Sequence, residues 1–97
     1  MNPQPKKITW KSEKYLQFVR RQPCIICYEL PSEAHHVRFS NNSGIGMKPA
    51  DIWAIPLCHT HYASIHAVGQ KTFCAWYDID IYRELFLTAK KFIEKKI

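Results

Sequence analysis

The sequence predicts an α+β fold: a strand–strand–helix core stapled by zinc, with helices flanking it at both ends. Three observations predict it. Two pairs of metal-ligating residues, Cys24-x2-Cys27 and Cys58-x2-His61, bracket the middle of the chain. Between them lie two short runs, Glu33 to Phe39 and the apolar Ile52 to Leu57, with the length of strands rather than helices. Both ends of the chain repeat apolar residues at helical spacing. The 97 residues suffice for one domain. A domain of that size buries only about 60–65% of its unfolded surface, so a metal staple would help hold it together.

Residues 1–11, with Pro3, Pro5, Lys6, Lys7 and Lys11, read as a flexible basic lead-in, and residues 12–97 as the single domain. Ser12 can cap a helix through Lys14–Arg21, on which Tyr15, Phe18 and Val19 share one face. Pro23 stops that helix. Cys24-Ile25-Ile26-Cys27 reads as a tight turn, and Glu33 to Phe39 as a short strand. Ser40 to Pro49 is a loop rich in Ser, Asn and Gly. Ile52 to Leu57 is a second strand, with Pro56 at its end or edge. His59 to Val68 is a short helix closed by Gly69. From Lys71 onward the pattern is helical in two pieces. Phe73, Trp76 and Tyr77 share one face, then Ile81, Leu85, Thr88 and Phe92 continue it after a joint at Asp78-Ile79-Asp80. Trp10, Trp53 and Trp76 read as core or shielding residues.

Charge is distributed unevenly. Residues 1–22 carry six Lys and Arg against one Glu; residues 23–66 carry Arg38 and Lys48 against Glu29, Glu33 and Asp51. Residues 67–97 carry six Lys and Arg against four acids, with Lys90, Lys91, Lys95 and Lys96 near the end. Basic flanks around a neutral middle, within a net charge of +6, suit a polyanion gripped at the edges. No run of eighteen apolar residues exists to cross a membrane, and residues 1–15 lack the apolar stretch of a signal peptide. A soluble, cytoplasmic protein is the expectation.

The five histidines fall between residues 35 and 66, and three of the four cysteines lie in or just before that stretch. In a chain without an export signal, such clustering predicts metal rather than disulfides. Cys24, Cys27, Cys58 and His61 predict a tetrahedral Cys3His zinc site, since each pair sets two ligands one turn apart. The competing readings are two unrelated short motifs with buried thiols and a redox CxxC, but the βαβ context the latter needs is missing. Cys74 has no partner spacing and reads as a core thiol. His35 and His36 on the first strand, and His66 on the following helix, are not needed by that staple and can form a second site. Imidazole serves phosphodiester hydrolysis as base and as metal ligand, because it is neutral near pH 7.

The stretches PCIIC, EAHHVRFS and GIGMKPADIWAIPLCHTHYASIH together resemble the HNH (ββα-metal) endonuclease superfamily over about residues 15–70. Within it they are most similar to small phage and prophage proteins related to the Ref recombination-enhancement nuclease. The resemblance implies a ββα-metal core that hydrolyses phosphodiester bonds in DNA with little sequence readout, in a phage or prophage recombination setting. It implies His36 as general base, His35 and His66 as ligands of a catalytic Mg²⁺, Mn²⁺ or Zn²⁺, and Asp51 at the middle position that orients the base or supports the metal. Asn41 and Asn42 are alternatives for that middle position. Arg38 is expected on the same strand face as His36, either clamping the scissile phosphate or as a surface residue. Lys48 either touches phosphate or sits in a solvated loop. Gly44 and Gly46 either admit a nucleic-acid backbone or serve the turn. The chain departs from the pattern at Tyr62, where relatives often carry a third histidine; His59 has no assigned place. The alternative reading is a zinc-stabilised nucleic-acid-binding module without catalysis. A toxin, or a toxin's partner, is a third reading with no dedicated feature.

Overall fold

The computed structural model describes residues 10–39 and 49–95. Most of the predicted lead-in and the loop carrying Lys48, Asn41, Asn42, Gly44 and Gly46 lie outside the described residues.

Helix α1 (Glu13–Arg20) opens the described chain. The Ser12 hydroxyl accepts the Tyr15 N–H at 3.0 Å, satisfying one of the donors that a helix start leaves open. The helix begins and ends one residue earlier than its apolar periodicity predicts, because the cap fixes the first turn and Arg21 already serves as the C-cap. It buries the predicted face, Tyr15, Phe18 and Val19. Tyr15 and Val19 pack with Ala54, and Tyr15 stands edge-on to Trp10 and Phe92 at ring separations of 5.6 and 4.9 Å.

The Tyr15 hydroxyl is buried without a hydrogen-bond partner among the described residues, and burial pushes its pKa up to about 12. Leaving such a group unsatisfied costs about 1–3 kcal/mol. Tyr15→Phe is therefore expected to keep the fold and raise Tm by several degrees, at about 4–8 °C per kcal/mol for a domain this small. A lower Tm in differential scanning calorimetry would mean that the hydroxyl is bonded after all.

Strands β1 (Ser32–His36) and β2 (Ala54–Cys58) pair antiparallel, from Ser32 opposite Cys58 to His36 opposite Ala54. Both are shorter than the sequence predicts, for one reason. Asp51–Trp53 coils into a 3-10 turn, so the second strand starts only at Ala54. The last bond toward that turn is Val37 N–H to the Trp53 carbonyl at 2.8 Å. Arg38 consequently lies past the end of the strand, not on its face with His36. Pro56 sits within β2, opposite Ala34, rather than at its end. Both strands of a two-stranded sheet have an outer edge, and Pro56 turns its missing donor to that edge, so no ladder bond is lost. Its carbonyl still accepts the Ile25 N–H at 3.1 Å.

Helix α2 (His59–Val68) follows β2 directly, with Cys58 at its N-cap. Gly69, at φ +89°, ends it in a conformation that side chains disfavour. Helix α3 (Gln70–Tyr77) starts at once and closes on Asp78, which takes the left-handed conformation at φ +52°. The Asp80 carboxylate then accepts the N–H groups of Tyr82 and Arg83 at 3.1 and 3.2 Å and starts α4 (Ile81–Lys95). The predicted joint is thus built by two aspartates with separate tasks.

Ile55, Leu57, Val37, Ile65, Phe73, Ile81 and Leu85 form the main core between the hairpin and helices α2 to α4. The buried face of α3 is narrower than predicted: Phe73 is buried but Trp76 is 60% exposed. Trp10 is also largely exposed, while Trp53 and Cys74 pack against the main core as expected. No helix of the described residues is long and apolar enough to cross a membrane.

Candidate functional site

Two sites lie at opposite ends of the β-hairpin. At the Cys58 end, Cys24, Cys27, Cys58 and His61 bring their ligand atoms within 4.8 Å of one another. The chain builds this from two local devices. Residues 24–29 fold back on themselves, with Tyr28 N–H to the Cys24 carbonyl at 2.9 Å and Cys24 N–H to the Glu29 carbonyl at 3.0 Å. Tyr28 adopts φ +63° to close that turn, a conformation that costs roughly 1–2 kcal/mol in a residue other than glycine. The other pair straddles the start of α2, one helical turn apart.

Four ligands around a tetrahedral Zn²⁺ stand about 3.8 Å apart sulfur to sulfur and about 3.5 Å sulfur to nitrogen, given bonds of 2.3 and 2.0 Å. Here Cys27 and Cys58 Sγ are 3.7 Å apart. His61 Nδ1 is 3.6 Å from Cys24 Sγ and 3.1 Å from Cys58 Sγ. The residues fit a structural metal ion such as zinc. Electrostatics agree with that fit. Burial raises the Cys24 thiol, but the backbones of Cys27, Cys58 and Ile26 outweigh it and hold its pKa below the ordinary value. The Glu29 backbone lowers Cys27, yet burial and the adjoining Cys58 and Cys24 thiols prevail and raise it. A dication among these sulfurs would remove that mutual repulsion.

At the other end of the hairpin a cleft of about 860 Å³ opens between α1, β1 and α2. His35, His36, Arg38, Asp51, Tyr62 and His66 are among its lining residues. The 3-10 turn carries Asp51 back beside the strand. One carboxylate oxygen is 2.9 Å from His36 Nε2; the other accepts the Ser12 N–H at 2.7 Å. Burial pushes the Asp51 pKa up, but the His36 and Ser12 hydrogen bonds and the charges of His36 and Lys11 outweigh it and leave it lowered. An ionised carboxylate only accepts, so His36 Nε2 must donate. In the neutral imidazole the lone pair is then on Nδ1.

His35 and His66 face each other at a ring separation of 5.1 Å, from β1 and α2 respectively. Burial, then the neighbouring His66, His36 and Arg38, lower the His35 pKa to about 4. Its imidazole is therefore neutral, as a metal ligand must be. Tyr62, one turn before His66, completes a triangle of rings, 4.5 Å from His66 and 5.8 Å from His35.

The six cleft residues named from the sequence are thus brought together. His59 is not among them: its side chain is 92% exposed and 3.2 Å from the Glu33 carboxylate. Sequence reasoning missed Lys11, Glu13 and Gln70, which also line the cleft. Gln70 accepts the Arg38 N–H at 3.2 Å and fixes the chain leaving β1. Nothing in its sequence context signals this, because the contact depends on how α3 turns back at Gly69. The Ser12 cap could have signalled Lys11, since it fixes which side chain precedes α1.

A family model described as a protein of unknown function, DUF968, matches residues 2–84. The uncharacterized protein YdfU of Escherichia coli (strain K12) is 36% identical over 62 residues, covering 64% of this chain. The chain spans only 18% of that relative's length. No solved structure matches.

Proposed function

This chain belongs to the DUF968 family, and from its own side-chain chemistry we propose that it is a metal-dependent endonuclease of the HNH type. Its substrate is nucleic acid, DNA in the first place, cut with little regard to sequence. The observation that carries this reading is the His36–Asp51 pair at 2.9 Å, in one cleft with the facing imidazoles of His35 and His66. A satisfied structural histidine needs no second and third imidazole beside it.

The roles follow from the atoms. Asp51 fixes the His36 tautomer, leaving Nδ1 to take the proton from an attacking water. The imidazolium formed is stabilised by the adjoining carboxylate. His35 and His66 would hold the divalent cation, and two imidazoles suit Mn²⁺ or Zn²⁺ better than Mg²⁺. When bound, that cation supplies charge stabilisation at the phosphate and leaving oxygen. Arg38 and Lys11 bring positive charge to the cleft, where a phosphodiester is attracted. Contacts to phosphate carry no sequence information, hence the expected low specificity. The Cys3His cluster is zinc in this reading and serves structure alone. The strand–strand–helix unit is then the ββα-metal core.

The test is cleavage of supercoiled plasmid, single-stranded DNA and RNA with Mg²⁺, Mn²⁺ or Zn²⁺ added in turn. Cut product with at least one cation is expected. Binding without any cleavage would favour a zinc-stabilised nucleic-acid-binding module. Tyr62 offers a second check. Tyr62→His would place a third imidazole one turn from His66, and cation affinity at the cleft is expected to rise at least about tenfold. Unchanged affinity in isothermal titration with Mn²⁺ would mean that the triangle of rings holds no cation.

A further inference from the structure

Helix α4 carries two parallel apolar seams. The inner one, Ile81, Leu85 and Thr88 with Phe92 beyond, closes the core. One residue on from each of these lies the outer seam: Tyr82, Phe86, Ala89 and Ile93. Tyr82, Phe86 and Ile93 are 61%, 65% and 59% exposed. Phe39 stacks flat on Tyr82 at 4.6 Å, so one end of the seam is already held in place. Single exposed apolar residues are ordinary; three large ones in line along a helix mark a contact surface. None of them lines the cleft.

We infer that the outer seam of α4 is an interface with a second copy of this chain, the two helices packing antiparallel about a two-fold axis. Spacings of four, three and four residues are those of a helix–helix seam. The seam is complementary to itself only in reverse. Antiparallel packing sets Phe86 against the partner's Ala89 and Tyr82 against the partner's Ile93, so large meets small at two symmetric points. Parallel packing would set ring on ring at Phe86 and leave a gap at Ala89. Charge agrees with the antiparallel choice. Lys90 is bound to Glu94 at 2.9 Å, and Arg83, exposed, follows Tyr82 at the other end of the helix. Reversal brings Arg83 to the partner's Lys90–Glu94 pair, where the carboxylate can bridge both cations.

The area sets the strength. Three side chains about 60% exposed each offer roughly 100–150 Å². Two copies then bury roughly 600–900 Å², below the size of stable interfaces, which predicts a weak, reversible dimer with Kd of about 100 µM. The cleft stays open in both copies. This inference does not depend on the proposed nuclease activity.

Sedimentation equilibrium of the full chain, from roughly 5 to 500 µM to bracket that Kd, tests it. The weight-average mass should climb from that of one chain toward that of two. Phe86→Glu should hold the mass at one chain, with an unchanged far-ultraviolet circular dichroism spectrum. Arg83→Glu should weaken association at least about fivefold, and adding Glu94→Arg should restore it. These two side chains are exposed, so the charge exchange decides the matter even if Phe86→Glu fails to fold. A monomer throughout, or a dimer indifferent to these substitutions, overturns the inference.

Discussion

His36→Ala is expected to lower the cleavage rate by about two to four orders of magnitude, the usual share of a positioned general base. The substitution removes the one group among the described cleft residues whose tautomer is fixed by an ionised carboxylate. Its neighbour gives the contrast. Asp51→Asn keeps the shape but can donate as well as accept, so the His36 tautomer is no longer imposed. A smaller loss, of about 10–100-fold, is expected there, as for other groups that orient a functional histidine. Single-turnover cleavage of a labelled DNA, with enzyme in excess, separates these effects from binding. Equal rates for wild type and His36→Ala would remove His36 from the chemistry. A larger loss at Asp51 than at His36 would show that the carboxylate, not the imidazole, takes the proton.

Removing the metal from the cysteine cluster is expected to unfold the chain. Structural zinc contributes on the order of 10 kcal/mol in small domains. The whole stability of a domain is about 5–15 kcal/mol, so little would remain. The geometry agrees with a structural role, because the cluster ties a turn distant in the sequence to the start of α2. Cys24 and Cys27 belong to a turn, Cys58 ends β2, and His61 lies in the first turn of α2. Cys58→Ser keeps the side-chain volume and removes the soft ligand. Its circular dichroism spectrum should resemble that of wild type treated with a strong chelator, with helix lost and no cooperative melting. Elemental analysis should find one zinc per chain in wild type. A chelator-treated protein that still melts cooperatively would sink the structural role of the cluster.

Most of the fold was legible in the sequence where one residue decides one local structure. Ser12, Gly69, Asp78 and Asp80 each cap or break a helix within reach of their own backbone, so their effect survives without knowledge of the tertiary fold. Ligand spacing was legible for the same reason, since each half of the Cys3His cluster is a local pair. The ends of the strands were not. Ile52-Trp53 has strand composition, yet it coils because Asp51 N–H bonds the Trp10 carbonyl at 3.0 Å and its carboxylate reaches His36. Those partners are distant in sequence, and no periodicity reports them. Trp76 misled for a related cause. Its spacing places it beside Phe73, but α3 is only eight residues long and packs mainly on α2. In the cleft, the histidines were legible as a cluster, while Lys11 and Gln70 arrive from helix starts that only the packed structure sets side by side.

The double grip of Asp51 has a consequence for where the working unit begins. One oxygen orients His36 and the other is fastened to the peptide just ahead of α1. A fragment trimmed to the two strands and α2 would keep every imidazole and still lose the anchor that stops this carboxylate from turning away. Under the proposed function the Ser12 peptide is in this sense part of the reaction centre, although its side chain need not touch the bond being cut.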